Sequence, residues 1–105
     1  MDTTVIRSTG PDRFEIQVDG AVGGFAQFVD HAGSRVFFHT VVDPAFKGQG
    51  LGGILVSHAL EATRDEGLRI VAVCPFVKGY VEKHPEWNEH VDAPTRETLG
   101  AIPRD

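Results

Sequence analysis

The stretch "DPAFKGQGLGGIL", Asp43 to Leu55, decides the fold. Four glycines, Gly48, Gly50, Gly52 and Gly53, fall within six residues, and an apolar run with helical spacing follows. Glycine loses more conformational freedom on folding than any other residue, and a purely structural turn needs only one or two. So much backbone freedom at the mouth of a helix calls for a functional reason. Upstream, "RVFFHTVV" is apolar on both faces and reads as a central strand, which Asp43-Pro44 ends. Downstream, Gly50 to Glu66 is helical: Leu51, Ile54, Leu55, Ala59 and Ala62 share a face that Val56 and Leu60 widen. Ser57, Glu61, Arg64 and Asp65 form a polar stripe. His58 lies towards the apolar arc and reads as a structural, hydrogen-bonded histidine. Gly67 stands where a C-terminal cap belongs, and "LRIVAVCP" is a buried, β-branched strand stopped by Pro75.

This strand–helix–strand unit makes a right-handed crossover and a parallel pair. The glycine loop lies at the C-terminal end of a strand and the N-terminus of a helix, where α/β proteins place ligands. Unpaired N–H groups and the positive end of the helix dipole suit a phosphate there. Ile54 stands where a nucleoside-triphosphate loop needs Lys-Ser/Thr, so the loop is not of that kind. A diphosphate without its own magnesium fits, and coenzyme A is one such ligand.

Towards the N-terminus, "RFEIQVD" alternates cleanly, with Phe14, Ile16 and Val18 on one face, and reads as a half-buried strand near a sheet edge. Asp19-Gly20 signals a hairpin. A second strand covers about Ala21 to Val29, loosened by Gly23-Gly24, and "DHAGS" turns the chain again. Beyond the crossover, "FVKGYVEKH" is a short helix ended by Pro85, and Pro94 is placed to start another in the tail from Asn88 onward. The order is β-β-β-α-β-α: an α/β (α+β) fold with a mixed sheet, antiparallel at its start and parallel at the crossover.

A chain of 105 residues with 41% hydrophobic and 24% charged residues is one globular domain, 1–105. No apolar run approaches the roughly 20 residues of a membrane span, and "MDTTVIRSTG" has no signal-peptide core, so a cytoplasmic location is expected. The single cysteine, Cys74, excludes an internal disulfide and a cysteine-based zinc site. The five histidines show no ligand spacing, so no metal is expected. A net charge of −5 argues against a nucleic-acid partner and favours a cationic one such as an amine.

"VVDPAFKGQGLGGILV" resembles the acyl-CoA pyrophosphate loop of the GNAT superfamily of N-acetyltransferases, here Lys47-Gly48-Gln49-Gly50-Leu51-Gly52. Together with "VCPFVKGYVEKHPEW" it is similar to a subfamily of minimal GNAT proteins, in which a His-Thr pair precedes the loop. There, a Cys-Pro-Phe-Val segment and a His-Pro-Glu-aromatic segment follow it. The likeness runs from Phe14 to Trp87. Lys47 replaces the usual Gln or Arg, keeping charge but losing the planar fork, and Trp87 stands where tyrosine is commoner.

The resemblance implies a minimal GNAT fold and a cofactor site of Thr40, Val41, Val42, Lys47, Gly48, Gln49, Gly50, Leu51, Gly52 and Gly53. The strand carrying Thr40–Val42 would splay from its neighbour and pair with the pantetheine arm of acetyl-CoA. An N–H near Val41 or Val42 would hold the oxyanion. Cys74 either takes the acetyl group or only shapes the pocket. Tyr80 would protonate the leaving thiolate, and His39 or His84 would accept the amine proton. The implied activity is acetyl transfer from acetyl-CoA to a primary amine, of a small molecule or of a protein lysine or N-terminus. The alternative is a non-catalytic CoA-binding or partner-docking module. The helices that full-size GNAT enzymes insert between their first two strands are missing. The acceptor side is therefore expected to be open or completed by a partner, a homodimer among the options.

Overall fold

The computed structural model describes residues 2–46, 48 and 50–103. Five strands form one sheet in chain order: β1 (Thr3–Ser8), β2 (Arg13–Val18), β3 (Ala21–His31), β4 (Ser34–Val42) and β5 (Arg69–Ala72). The first four make an antiparallel meander, and β5 joins β4 in parallel after the crossover helix α1 (Leu51–Asp65). Helix α2 (Pro75–Lys83), a 3-10 segment from Pro85 to His90 and a short helix α3 (Arg96–Gly100) complete the chain.

One face of the sheet holds the core. Phe14, Ile16, Val18, Ala26, Phe28, Phe37, Ile70 and Ala72 pack there against Leu55, Val56, Ala59 and Leu60 of α1 and Val77 and Val81 of α2. Burial of this continuous apolar surface is the main force holding the helices to the sheet. The opposite, second face carries the tail: Thr98 of α3 is buried, Glu97 lies 4.0 Å from His31, and Pro103 reaches Gln27 and His39. The tail leaves β5 through an Ile70–Val91 bridge and a bond from the Asp92 N–H to the Ile70 carbonyl at 2.8 Å.

Three expectations need correcting. β2 is not an edge strand, because β1 pairs along its whole outer side. Alternation reports which faces are polar, not which edges are free. Its polar Glu15 is buried because Arg13 and Gln17, two residues away on the same strand, both donate to its carboxylate. Second, α3 starts after Pro94: Thr95 is its N-cap, in a reciprocal capping box with Thr98. Third, His58 is exposed, because the buried stripe of α1 runs through Leu55, Val56, Ala59, Leu60 and Thr63.

A buried arginine fixes the far end of α1. Arg35 is fully buried and grips Asp30 at 2.7 and 3.0 Å and Glu66 at 2.9 and 3.0 Å, with its guanidinium over the rings of Phe28 and Phe14. Arg7 of β1 adds a bond to Glu66 at 3.0 Å. Hydrogen bonds from Arg35, then from Arg7, outweigh desolvation and lower the Glu66 pKa to about 2. This clamp ties β1, β3 and β4 to the C-terminus of α1, and so sets how the helix lies across the sheet.

Candidate active site

A β-bulge in β4 makes the site. Gln27 pairs with His39, but Phe28 pairs with Phe37, so Phe38 is the extra residue. A bulge bends its strand and moves every later residue to the other parity. Phe37 points into the core, and beyond the bulge Thr40 and Val42 do so instead, while His39 and Val41 turn to the second face. The bulge also marks where β4 leaves β5. Parallel pairing ends at Phe37–Ala72, where the Phe37 carbonyl accepts from Val73 at 2.9 Å and Cys74 at 3.0 Å. Past that point a gap opens between β4 and the start of α2.

The gap has free backbone donors. The Asp43 N–H donates to the Gly23 carbonyl at 2.8 Å. In an antiparallel ladder alternate residues point to the same neighbour, so His39, Val41 and Asp43 face β3. The amides of Thr40 and Val42 face the gap. Of the amides considered from the sequence, that of Val42 is aimed there and that of Val41 is committed to β3. Across the inner end of the gap, Thr40 Oγ1 lies 3.2 Å from Cys74 Sγ, and Cys74 is nearly fully buried.

The outer end of the gap opens into a cavity of about 490 Å³ between Val42, Pro44 and Phe46 on one side and Gly50–Gly53 and Phe76 on the other. Asp43 Oδ1 accepts from the Ala45 N–H at 2.9 Å and turns the chain into this loop. Gly50, at φ 72°, is the N-cap of α1 and supplies no side-chain acceptor. The first intrahelical bond runs from the Ile54 N–H to Gly50 at 3.3 Å, leaving the amides of Leu51, Gly52 and Gly53 without helical partners. Gly52 is needed for close approach: a Cβ there would lie 2.1 Å from the Phe76 ring. A Cβ on Gly53 would meet nothing within 4 Å. Lys47 and Gln49 lie outside the described residues.

Tyr80 and His84 border a second groove, of about 580 Å³, which Gly53, Ser57 and His58 line from α1. Their rings stack at 3.9 Å and 17°. His84 Nδ1 lies 2.7 Å from the Tyr80 carbonyl, which can only accept, so the proton sits on Nδ1 and Nε2 is free. His39 stands elsewhere, on the second face, 5.8 Å from the Phe25 ring. The side chains named from the sequence therefore occupy three places. Thr40 and Cys74 sit in the gap, Tyr80 and His84 between the helices, and His39 behind the sheet. The Thr40–Cys74 contact escaped sequence reasoning, because 34 residues and a bulge separate the pair.

Gly48, Gly50 and Gly53 also satisfy the G-x-G-x-x-G spacing of dinucleotide-binding turns. That motif belongs to doubly wound parallel sheets, whereas this sheet has a single parallel pair. Among the described residues, no helix is long and apolar enough to cross a membrane.

Comparison with known proteins agrees with this geometry. The family model of the GCN5-related N-acetyl-transferases matches residues 13–91. Protein NATD1 of Gallus gallus is 25% identical over 83 residues, which cover 75% of this chain and 76% of that protein. A GCN5-like protein from Staphylococcus aureus shares the fold at a TM-score of 0.67 and 22% identity, covering 89% of this chain and 91% of that one. The ribosomal-protein-S18-alanine N-acetyltransferase of Escherichia coli aligns at a TM-score of 0.53 and 25% identity over 55% of this chain. That alignment spans only 38% of the longer enzyme. With three quarters of its length matched, the mixed sheet and the helix-mouth loop in place, the chain belongs to the GCN5-related N-acetyltransferase family.

Proposed function

We propose that the protein transfers an acetyl group from acetyl-CoA to a primary amine. The observation that carries this reading is the continuous path from the open N-terminus of α1, through the cavity beside Phe76, to the amides of Thr40 and Val42 in the gap. The residues present fit such a substrate. Gly53 leaves open space, and three unpaired amides suit a diphosphate. The walls of Val42, Phe46 and Phe76 suit a thin, largely apolar arm.

Acetyl-CoA supplies an electrophilic thioester carbonyl. The amides of Thr40 and Val42 are the donors placed to hold negative charge on its oxygen. The amine nitrogen bonds to that carbon, the carbon–sulfur bond breaks, and the sulfur leaves as a thiolate. His39 takes the proton that the amine loses. Tyr80, one turn beyond Phe76 on the same side of α2, returns a proton to the thiolate. Cys74 shapes the inner end of the gap: its described hydrogen-bond partner is a threonine hydroxyl, and no imidazole stands there to take its proton. The second reading, a CoA-binding module without turnover, is favoured by the separation of Cys74, Tyr80 and His39.

Calorimetry with acetyl-CoA, followed by acetylation assays over amines and peptides, tests the proposal. Binding with transfer, slowed in Tyr80→Phe, supports the enzyme. Tight binding with no transfer to any acceptor supports the module, and no binding removes both.

A further inference from the structure

We propose that the acyl acceptor is a compact primary monoamine, held in the cavity on the second face between His39 and the C-terminal segment. This rests on the acetyl-transfer reading and names its substrate class. The bulge at Phe38 places consecutive residues of β4 on opposite faces: Thr40 turns to Cys74, and His39 turns away. The strand bordering the gap therefore presents a base to the side remote from the glycine loop.

A cavity of about 440 Å³ lies there, lined by Gln27 of β3, Phe38 and His39 of β4, Pro11 of the β1–β2 turn and Pro103 of the tail. That volume suits a small molecule. The tail closes a side that the sequence alone left open or dependent on a partner.

The lining defines the chemistry. Phe38, Pro11 and Pro103 are apolar walls, and neither proline has an N–H. Gln27 and His39, directly opposite each other in the β3–β4 register, are the two polar groups. The Gln27 carbonyl can accept from an ammonium, and the His39 ring can take its proton. Among the described residues, no charged side chain lines this cavity. Arg13, paired with Gln27 in the register, is occupied: its guanidinium bonds Glu15 at 2.7 Å and lies 4.6 Å above the Phe25 ring. Gln17 takes the other Glu15 oxygen at 3.1 Å. There is thus no cation to hold an acceptor's carboxylate and no carboxylate to hold a second ammonium. Amino acids and polyamines lose to an amine with an uncharged body.

The test uses the full chain, with phenethylamine, glycine, putrescine and a lysine-containing peptide as acceptors. Acetyl-CoA binding is measured separately. Amide NMR signals of Gln27, Phe38 and His39 are expected to move on titration with phenethylamine, and kcat/KM is expected to be highest for that amine. Gln27→Glu, close in shape, should raise kcat/KM for putrescine relative to phenethylamine by about 10-fold or more, the scale of one charge-assisted hydrogen bond. A chain ending at Ile102 should raise the KM for phenethylamine while leaving that for acetyl-CoA unchanged.

Equal or better turnover of glycine, putrescine or the peptide by the unaltered protein would overturn the proposal. So would shifts confined to the Phe76–His84 side, or no response to Gln27→Glu. Acetyl-CoA binding without transfer to phenethylamine removes this inference alone. Failure to bind acetyl-CoA removes the transferase reading as well.

Discussion

Gly52 and Gly53 are adjacent in the first turn of α1 yet face different surroundings, and replacing each by alanine separates folding from binding. The new Cβ at Gly52 would stand 2.1 Å from Cζ and 2.6 Å from Cε1 of Phe76. The ring is 42% exposed and has room to swing outward, so the lost contact costs about 1 kcal/mol or less. Alanine returns about 0.5–1 kcal/mol of helix preference, leaving stability near its starting value. At Gly53 nothing lies within 4 Å, so Gly53→Ala gains about 0.5–1 kcal/mol without a penalty. Binding goes the other way. A methyl group over either amide holds a phosphate off its donor, and losing one charge-assisted hydrogen bond costs about 1.5–3 kcal/mol. That is a Kd about 10- to 150-fold weaker. Thermal melts and calorimetry with CoA read the two quantities independently. Variants that bind CoA within twofold of the unaltered protein would refute the diphosphate role of the loop.

Three further outcomes follow from the same geometry. Arg35→Leu removes four hydrogen bonds, but Asp30 and Glu66 are about 40% exposed and can rehydrate. The loss should sit at the low end for a broken buried pair, about 3 kcal/mol, a fall in Tm of about 12–24 °C; a loss under about 1 kcal/mol contradicts the clamp. Because the folded pKa of Glu66 is about 2, against 4.5 for an unpaired glutamate in water, its stabilisation is whole above pH 4.5. It fades as pH falls towards 2, so Glu66→Gln should flatten acid unfolding in that window, and an unchanged acid profile would exclude the pairing. Finally, mass spectrometry after mixing with acetyl-CoA alone should find no acetyl adduct on Cys74, and Cys74→Ala should keep most of the activity. A trapped adduct would establish an acyl-enzyme instead.

The features legible in the sequence are those with local signatures. Glycines at a strand end, Asp-Gly at a turn and the helical spacing of Leu51–Ala62 disclose the meander, the crossover and the loop between them. What stayed hidden depends on neighbours distant in the chain. β1, "TTVIRS", is short and mixed in polarity, and only its pairing with β2 identifies it. The bulge at Phe38 leaves no mark in composition, yet it decides that Thr40 meets Cys74 and that His39 faces away. Arg35 reads as an ordinary strand residue until Asp30 and Glu66, 5 and 31 residues off, close on it. The tail, without a strong pattern of its own, becomes informative only where Pro103 meets Gln27 and His39.

A crystal structure with acetyl-CoA bound tests the central claim most directly. The diphosphate is expected on the amides of Leu51, Gly52 and Gly53. The thioester oxygen should lie about 3 Å from the Thr40 or Val42 nitrogen, with the acetyl carbon in the gap beyond Phe37. A thioester lying between the helices beside Tyr80 and His84, with the gap still closed by Thr40 and Cys74, would contradict it.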